Sequence, residues 1–577
     1  MYSWNKIKEE ITANINLVLG ENLADVADLT IPPNPEFGDL GSALFSLAKK
    51  TGKTPNETGD LILNGIKFNE IIVGAKIVGP YLNFFISKKY LVKNVLTEIN
   101  KEKEKYGENK SGQKEKIVLE FSNVNTHKEY HVGHLRNICY GDAVTKILNA
   151  NGFEAIPISY VNDFGIHVAK TLWNYEAFIR EKLDGKKIET MPEAERGFLL
   201  GKMYADASNK EKDDSVAAGM IGGWKQKIEG RSGEEFELWK KTRPWSIAQF
   251  ASVYRDLKIE FKDILYESDF IEKGKEKVKE LLQKGILRAS EGAIIADLEQ
   301  YGLAILVVIR SNGTASYCVA DLALAEEKHR KYKPDKSIYI VDIRQSLYFQ
   351  QLFKILELMG FKEKLVHLPF DFVKLPSGMM ASRTGKIITY KELKEEILDK
   401  CEAETRKRHE EWEETKIKTN ALAIGLGAAK FEMLKVNAKS IITFDINKAL
   451  ALEGFTSAYI QYAYARISSI FKKITNHKLK NTNINFEKLN EEKEIALIKK
   501  MAVYPEVVAA AGLEYDPSVI AKYIYELAQM FNDFYHALPV LPAEEEIKQA
   551  RLAILAAVAQ VIKNGLGLLG IETVEEM

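Results

Sequence analysis

The chain has 577 residues, more than one hydrophobic core organises, and this length predicts three to four domains. Its 81 lysines and arginines balance 81 aspartates and glutamates, so a polyanionic partner must be met by local basic patches and not by overall charge. Three cysteines, Cys139, Cys318 and Cys401, without a C-x-x-C spacing, exclude a disulfide framework or zinc cluster; the polar start and the lack of a stretch near about 18 apolar residues predict a soluble cytoplasmic protein with no membrane span.

Residues 1–112 read as a small α+β module, with helices over 3–19, 40–51 and 55–66 and short strands over 71–77 and 82–86. The charged stretch 101–116 lacks apolar periodicity and reads as a linker. Apolar strands over 117–121, 155–160, 337–342 and 365–369 then alternate with helical patterns. That alternation predicts an open, mostly parallel, Rossmann-like sheet in a catalytic domain over 113–400. An insertion over 175–300, highly charged and helical, interrupts the sheet and ends in a hairpin pairing 293–297 with 304–309. A connecting segment follows over 401–444. From 445 to 577, apolar spacings of three and four recur over 450–471, 492–511, 517–538 and 543–569, predicting an all-α bundle. The fold class is therefore multidomain α/β with a helical C-terminal domain.

The densest chemistry lies in the turn after the first sheet strand, Asn125-x-x-Lys128-x-x-His131-x-Gly133-His134-Leu135-Arg136. The helix read over 135–149 opens here, and the unpaired N–H groups of a helix start carry partial positive charge that suits a triphosphate. Gly133 leaves room for a nucleotide against the backbone. Imidazoles and an ammonium supply charge stabilisation, which is what phosphoryl chemistry needs. An H-x-G-H pattern also suits histidines that only order a helix start.

These residues resemble the first signature of class I aminoacyl-tRNA synthetases, in the form found in arginyl-tRNA synthetases. Later stretches are similar to that family's motifs in its order: Asn162-Asp163-Phe164-Gly165, Glu267-Ser268, Arg310-Ser311-Asn312-Gly313-Thr314, Tyr317-x-x-x-Asp321, Gln345 to Gln351, and Met380 to Gly385. Both ends match as well, through Phe37-Gly38-Asp39-Leu40 and Tyr459 to Arg466.

The resemblance implies activation of arginine by ATP, entering with Mg²⁺ and without a protein-bound metal, followed by transfer to the terminal adenosine of the arginine-specific tRNA. It implies Lys128, His131 and His134 as catalytic groups, and His131, Gly133, His134, Met380, Ser382, Arg383 and Lys386 around ATP. Asn125, Glu267, Tyr317, Asp321 and Gln345 are implied as the arginine pocket, since a guanidinium needs fixed carboxylates. For tRNA, Tyr459, Tyr462 and Arg466 in the bundle suit unstacked bases. Arg406, Lys407, Arg408, Lys430, Lys435 and Lys439 offer charge for the stem, and the N-terminal module would meet the tRNA elbow. A monomer is expected.

Three departures from the family pattern stand out. Met379-Met380-Ala381-Ser382-Arg383 replaces the usual Lys-Met-Ser-Lys-Ser, and Lys128 is implied to compensate. His167 stands where glutamine is common, and Tyr348 where histidine is common. Two other readings compete: a small H-x-G-H nucleotidyltransferase, which the length disfavours, and a tRNA-binding relative that has lost activation.

Overall fold

The computed structural model describes residues 1–183, 188–212, 214–376, 378–379, 388–474 and 484–577. Within the N-terminal module an antiparallel sheet runs in the order Leu29–Thr30, Leu40–Ala43, Tyr81–Ile86, Ile72–Val78, backed by the helices Ser3–Leu19 and Pro55–Gly65. The sequence reading placed a helix over 40–51, but only Leu44–Thr51 is helical. Leu40, Leu44 and Leu47 keep a helical spacing, yet Leu40 pairs with Phe84 and Ser42 with Leu82, and this strand pairing overrides the local pattern.

A second sheet organises the middle of the chain. Among the described residues it has five parallel strands, ordered Lys364–Phe370, Lys336–Asp342, Lys116–Glu120, Glu154–Val161, Asp263–Tyr266. Ile117, Val118 and Leu119 are fully buried, as expected of a central strand covered on both faces. Lys116–Glu120 is followed in the chain by its neighbour on one side, whereas Lys336–Asp342 joins on the other. The crevice at their carboxyl ends is thus a topological switch point, where open α/β sheets bind ligands. Asp263–Tyr266 lies inside the stretch read as an insertion, too short to stand out by pattern.

The helices Glu193–Glu211, Ser215–Glu229 and Gly233–Asp256 form the body of the excursion before that strand. After it, the expected hairpin is present, with Ala293–Ala296 pairing antiparallel to Leu306–Ile309 and a further strand, Arg288–Ser290, at its edge.

The C-terminal region is helical, comprising Glu414–Leu434, Ser457–Lys473, Glu492–Ala502, Tyr504–Glu514, Pro517–Ala537 and Glu545–Leu568. One helix was read over 492–511, but the chain breaks at Val503, because Pro505 lacks an N–H and favours the first turn of a new helix. Ser457–Lys473 starts seven residues later than read, where the Thr456 hydroxyl accepts from the Tyr459 N–H at 3.2 Å. Glu545–Leu568 is long and apolar enough to span a membrane, contrary to the sequence reading, but 56% of that window is buried inside the protein. Its Arg551 is buried against Glu494 at 2.7 Å. One apolar core runs from Trp4 and Ile7 through Leu135 and Ile138 to Leu555 and Ile562, joining all three regions.

Candidate active site

His131 is the N-cap of the helix Val132–Ala150. Its Nδ1 accepts from the Gly133 N–H at 3.1 Å, while the His134 Nδ1 accepts from the His131 N–H at 3.3 Å. The two rings stack with centroids 3.7 Å apart. Burial, then the nearby Lys128 charge, pushes His131 down to about 4, and burial, then His131 and Lys128, pushes His134 well below the usual range. Both imidazoles are therefore neutral at pH 7. With each Nδ1 accepting, the ring proton is assigned to Nε2, which leaves two N–H donors side by side. Gly133 gives this stack room, since a Cβ there would sit 3.0 Å from the His131 ring and push it aside. The helix starts at Val132, earlier than the 135 read from the sequence, since His131 caps it and histidine is outside the usual set of N-cap residues that mark a helix start.

Lys128 approaches from the preceding loop, close enough to influence His131, His134 and His167. The loop is held by His127, whose backbone is left-handed (φ 58°) and whose Nε2 meets the Thr242 hydroxyl at 2.9 Å. Its backbone N–H donates to the Ser246 hydroxyl at 2.9 Å. Asn125 forms a parallel bridge with Asn162, beyond the end of the neighbouring strand. Met380, Ser382, Arg383 and Lys386, read as ATP-binding, lie outside the described residues. Just after them, the Val132 N–H donates to the Ile388 carbonyl at 3.2 Å and the Tyr390 N–H to the Tyr130 carbonyl at 2.7 Å. The end of the second loop is thereby bound to the signature helix.

Asp321 lies in the helix Tyr317–Tyr332 and accepts a hydrogen bond from the Tyr348 hydroxyl. Burial raises its carboxyl to about 7, with the Tyr348 bond opposing and Glu120 adding to the rise. Glu267, just past the edge strand, is raised to about 8 by burial first and by Asp321 next. Its Oε2 is buried without a hydrogen-bond partner. A buried acid with an unsatisfied oxygen, close to a second acid that is half-buried, suits a cation that brings its own donors. Asp163 anchors the residue after Glu267: its carboxylate accepts from the Ser268 N–H at 2.8 Å, the Ser268 hydroxyl at 2.7 Å and Arg243 at 2.6 Å. Tyr317, one turn before Asp321, is 65% exposed at the rim. Gln345 is exposed at the carboxyl end of Lys336–Asp342, with no side-chain hydrogen bond among the described residues. His167 is buried with its Nε2 unpartnered.

Sequence reasoning missed Glu120, the last residue of the central strand. Its Oε2 accepts from Lys328 at 2.6 Å and its Oε1 from Asn123 at 3.0 Å. The Lys328 ammonium also lies 3.8 Å from the centre of the Tyr339 ring, and the two charged side chains are 1% and 4% exposed. A charge ending an apolar parallel strand was the available signal. Tyr348 was noted as a departure and not as a pocket residue; its contact with Asp321 needed the fold.

In the bundle, the Tyr459 hydroxyl accepts from Asn532 at 2.8 Å, Tyr462 is 38% exposed, and Arg466 lies over the Tyr535 ring at 4.7 Å. Of the cations read as possible stem contacts, four are engaged within the protein. Lys430 is buried and donates to the Leu257 and Gly570 carbonyls at 2.6 Å, clasping the catalytic region to the C-terminus. Lys435 is paired with Glu432 at 2.5 Å, Arg406 with Glu414 at 2.7 Å and Arg408 with Glu404 at 2.8 Å.

Comparison with known proteins matches this architecture along its length. The family described as class I tRNA synthetases (R), catalytic domain, matches residues 93–446, the arginyl-tRNA synthetase N-terminal domain matches 5–86, and the DALR anticodon-binding domain matches 460–577. The arginine–tRNA ligase of Bdellovibrio bacteriovorus is 34% identical over 95% of this chain and 94% of its own. That of Halothermothrix orenii is 32% identical over 99% of both. Among solved structures, Thermus thermophilus arginyl-tRNA synthetase superposes with a TM-score of 0.81 at 26% identity, covering 99% of this chain and 100% of its own.

Proposed function

The chain belongs to the class I arginyl-tRNA synthetases and ligates arginine to tRNA with the use of ATP, and from that premise we propose how its residues divide the work. Asp321 and Glu267 bind the guanidinium, with Tyr317 closing the rim. Gln345 completes the pocket wall with Tyr317, and Asn125 holds the α-amino or carboxylate end of the substrate. The arginine carboxylate attacks the α-phosphorus of ATP, arginyl-adenylate forms and pyrophosphate leaves. Charge then builds on phosphate oxygens, and the two Nε2–H donors of His131 and His134 stabilise it without having to lose a proton. Lys128 supplies the positive charge that this chain's second loop lacks in its Lys-Met-Ser-Lys-Ser positions. Gly133 keeps space for the nucleotide, and Met380, Ser382, Arg383 and Lys386 complete the phosphate site.

Mg²⁺ belongs to the ATP substrate in this reading. No group of three or more His, Cys, Asp or Glu side chains suited to a metal ion occurs among the described residues. The adenylate is then passed to the terminal adenosine of the arginine-specific tRNA. Residues 1–112 meet its elbow, 113–400 carry the chemistry, 401–444 connect, and 445–577 read the anticodon with Tyr459, Tyr462 and Arg466. The chain works as a monomer in the cytoplasm, in keeping with three buried, free cysteines.

The observation that carries this reading is the unpartnered oxygen of buried Glu267, whose carboxyl feels the charge of nearby Asp321. ATP–pyrophosphate exchange, run with arginine, lysine or glutamine and with or without tRNA, tests it. Exchange with arginine alone among the three is expected. Equal exchange with lysine would mean that the two acids do not select a guanidinium.

A further inference from the structure

The Lys128 ammonium lies 4.7 Å from the centre of the Tyr204 ring. We propose that Tyr204 is the positioning residue for Lys128, an aromatic face that holds the ammonium beside the signature histidines without neutralising it. This inference rests on the role given to Lys128 above and extends it to the excursion helix Glu193–Glu211.

That helix is built to lie on the signature loop. Gly197, Gly201 and Tyr204 follow one another at spacings of four and three, so they share a face. A Cβ at Gly201 would fall 2.6 Å from the Glu129 Cβ and 2.7 Å from its backbone nitrogen. At Gly197 a Cβ would fall 2.3 Å from the Trp245 carbonyl oxygen. Gly197 thus lets the helix pack closely on Gly233–Asp256, and Gly201 lets it meet the loop at Glu129, which brings the next residue of the face, Tyr204, to the residue before Glu129. From the other side, His127 ties the loop to Thr242 and Ser246 of Gly233–Asp256. The backbone on both sides of Lys128 is therefore fixed, and its four-carbon stem is the remaining freedom.

The electrostatics single out an aromatic holder. A carboxylate partner would bind the ammonium at the expense of phosphate, and Lys128 makes no ion pair among the described residues. A ring face attracts a cation and leaves its charge available. Lys170 lies 6.0 Å from the same ring but is paired with Glu211, seven residues after Tyr204 on the same helix. Lys128 thus keeps the free charge at this ring.

Four variants test the proposal by arginine-dependent ATP–pyrophosphate exchange, with thermal melting to verify folding. Tyr204→Leu is expected to lower kcat about five- to tenfold with an unchanged KM for arginine, and Tyr204→Phe to stay within about twofold of the parent. Lys128→Met is expected to fall about a hundredfold, and adding Tyr204→Leu to it to change nothing further. If Tyr204→Leu matches Tyr204→Phe, or adds its full loss on top of Lys128→Met, Tyr204 does not act through Lys128. If Lys128→Met itself keeps parental activity, the role of Lys128 falls, and that outcome is distinct from a failure of Tyr204 alone.

Discussion

Tyr348 donates its phenolic hydrogen to the Asp321 carboxylate, joining the helices that precede and follow the strand Lys336–Asp342. The bond favours the ionised acid against a burial that raises its carboxyl to about 7. Removing the donor in Tyr348→Phe should push that carboxyl further up. Arginine would then have to displace a more tightly held proton, and its KM in ATP–pyrophosphate exchange should rise about tenfold at pH 7. The defect should shrink at pH 9, where the acid is ionised anyway. A defect of equal size at both values would assign Tyr348 to direct contact with arginine instead.

The pair Asp321 and Glu267 also sets a pH dependence for the parent enzyme. Below about 7 both acids hold protons in the free enzyme, and above about 8 both are ionised. A cation binds the ionised form, so arginine releases protons and its KM should fall as the pH rises from 6 to 8.5, then level off. Each displaced proton contributes about a tenfold change per pH unit in the window below its free-enzyme value. For stability the direction is opposite. Acids raised above their unfolded values bind protons more tightly when folded, so the free enzyme is favoured at low pH and loses that contribution as the pH rises through 7 and 8. Arginine titrations across this range, followed by exchange kinetics and thermal melting, measure both trends.

Lys128→Ala should slow adenylate formation by about a hundredfold while leaving the KM for arginine within about twofold, because the charge acts on phosphate in the transition state. Single-turnover formation of arginyl-adenylate measures it directly. A small effect would shift the work to Lys386 or Arg383.

Lys328→Met should destabilise the protein by about 3–5 kcal/mol, since it strands the buried Glu120 carboxylate without its partner. Combining it with Glu120→Gln should recover much of that loss. Guanidinium unfolding of the single and double variants would distinguish this from a mere loss of packing, for which no recovery is expected.

What was legible in the sequence follows from range. His131, Gly133 and His134 sit in one turn, and Tyr317 and Asp321 share one helical face, so spacing alone brought each group together. Glu267 came only through the family resemblance, because its strand has four residues and no readable pattern. The Glu120–Lys328 pair spans 208 residues and the Tyr348–Asp321 bond 27, separations that only the folded sheet closes. The same limit explains Lys430, which reads as a surface cation but is drawn inward by two carbonyls from distant segments. The helix break at Pro505 was available in the sequence, since proline supplies a local reason, but the continuous apolar spacing hid it, whereas the helix boundary near Leu40 depends on a distant strand partner.

Asp321→Asn measures the centre of the account. It removes one negative charge from the pocket while keeping the shape of the side chain. The KM for arginine in ATP–pyrophosphate exchange should rise by two orders of magnitude or more, about 3 kcal/mol for a charge-assisted guanidinium contact, with ATP binding near normal. An unchanged KM for arginine would remove Asp321 from the pocket and contradict the assignment of the paired acids.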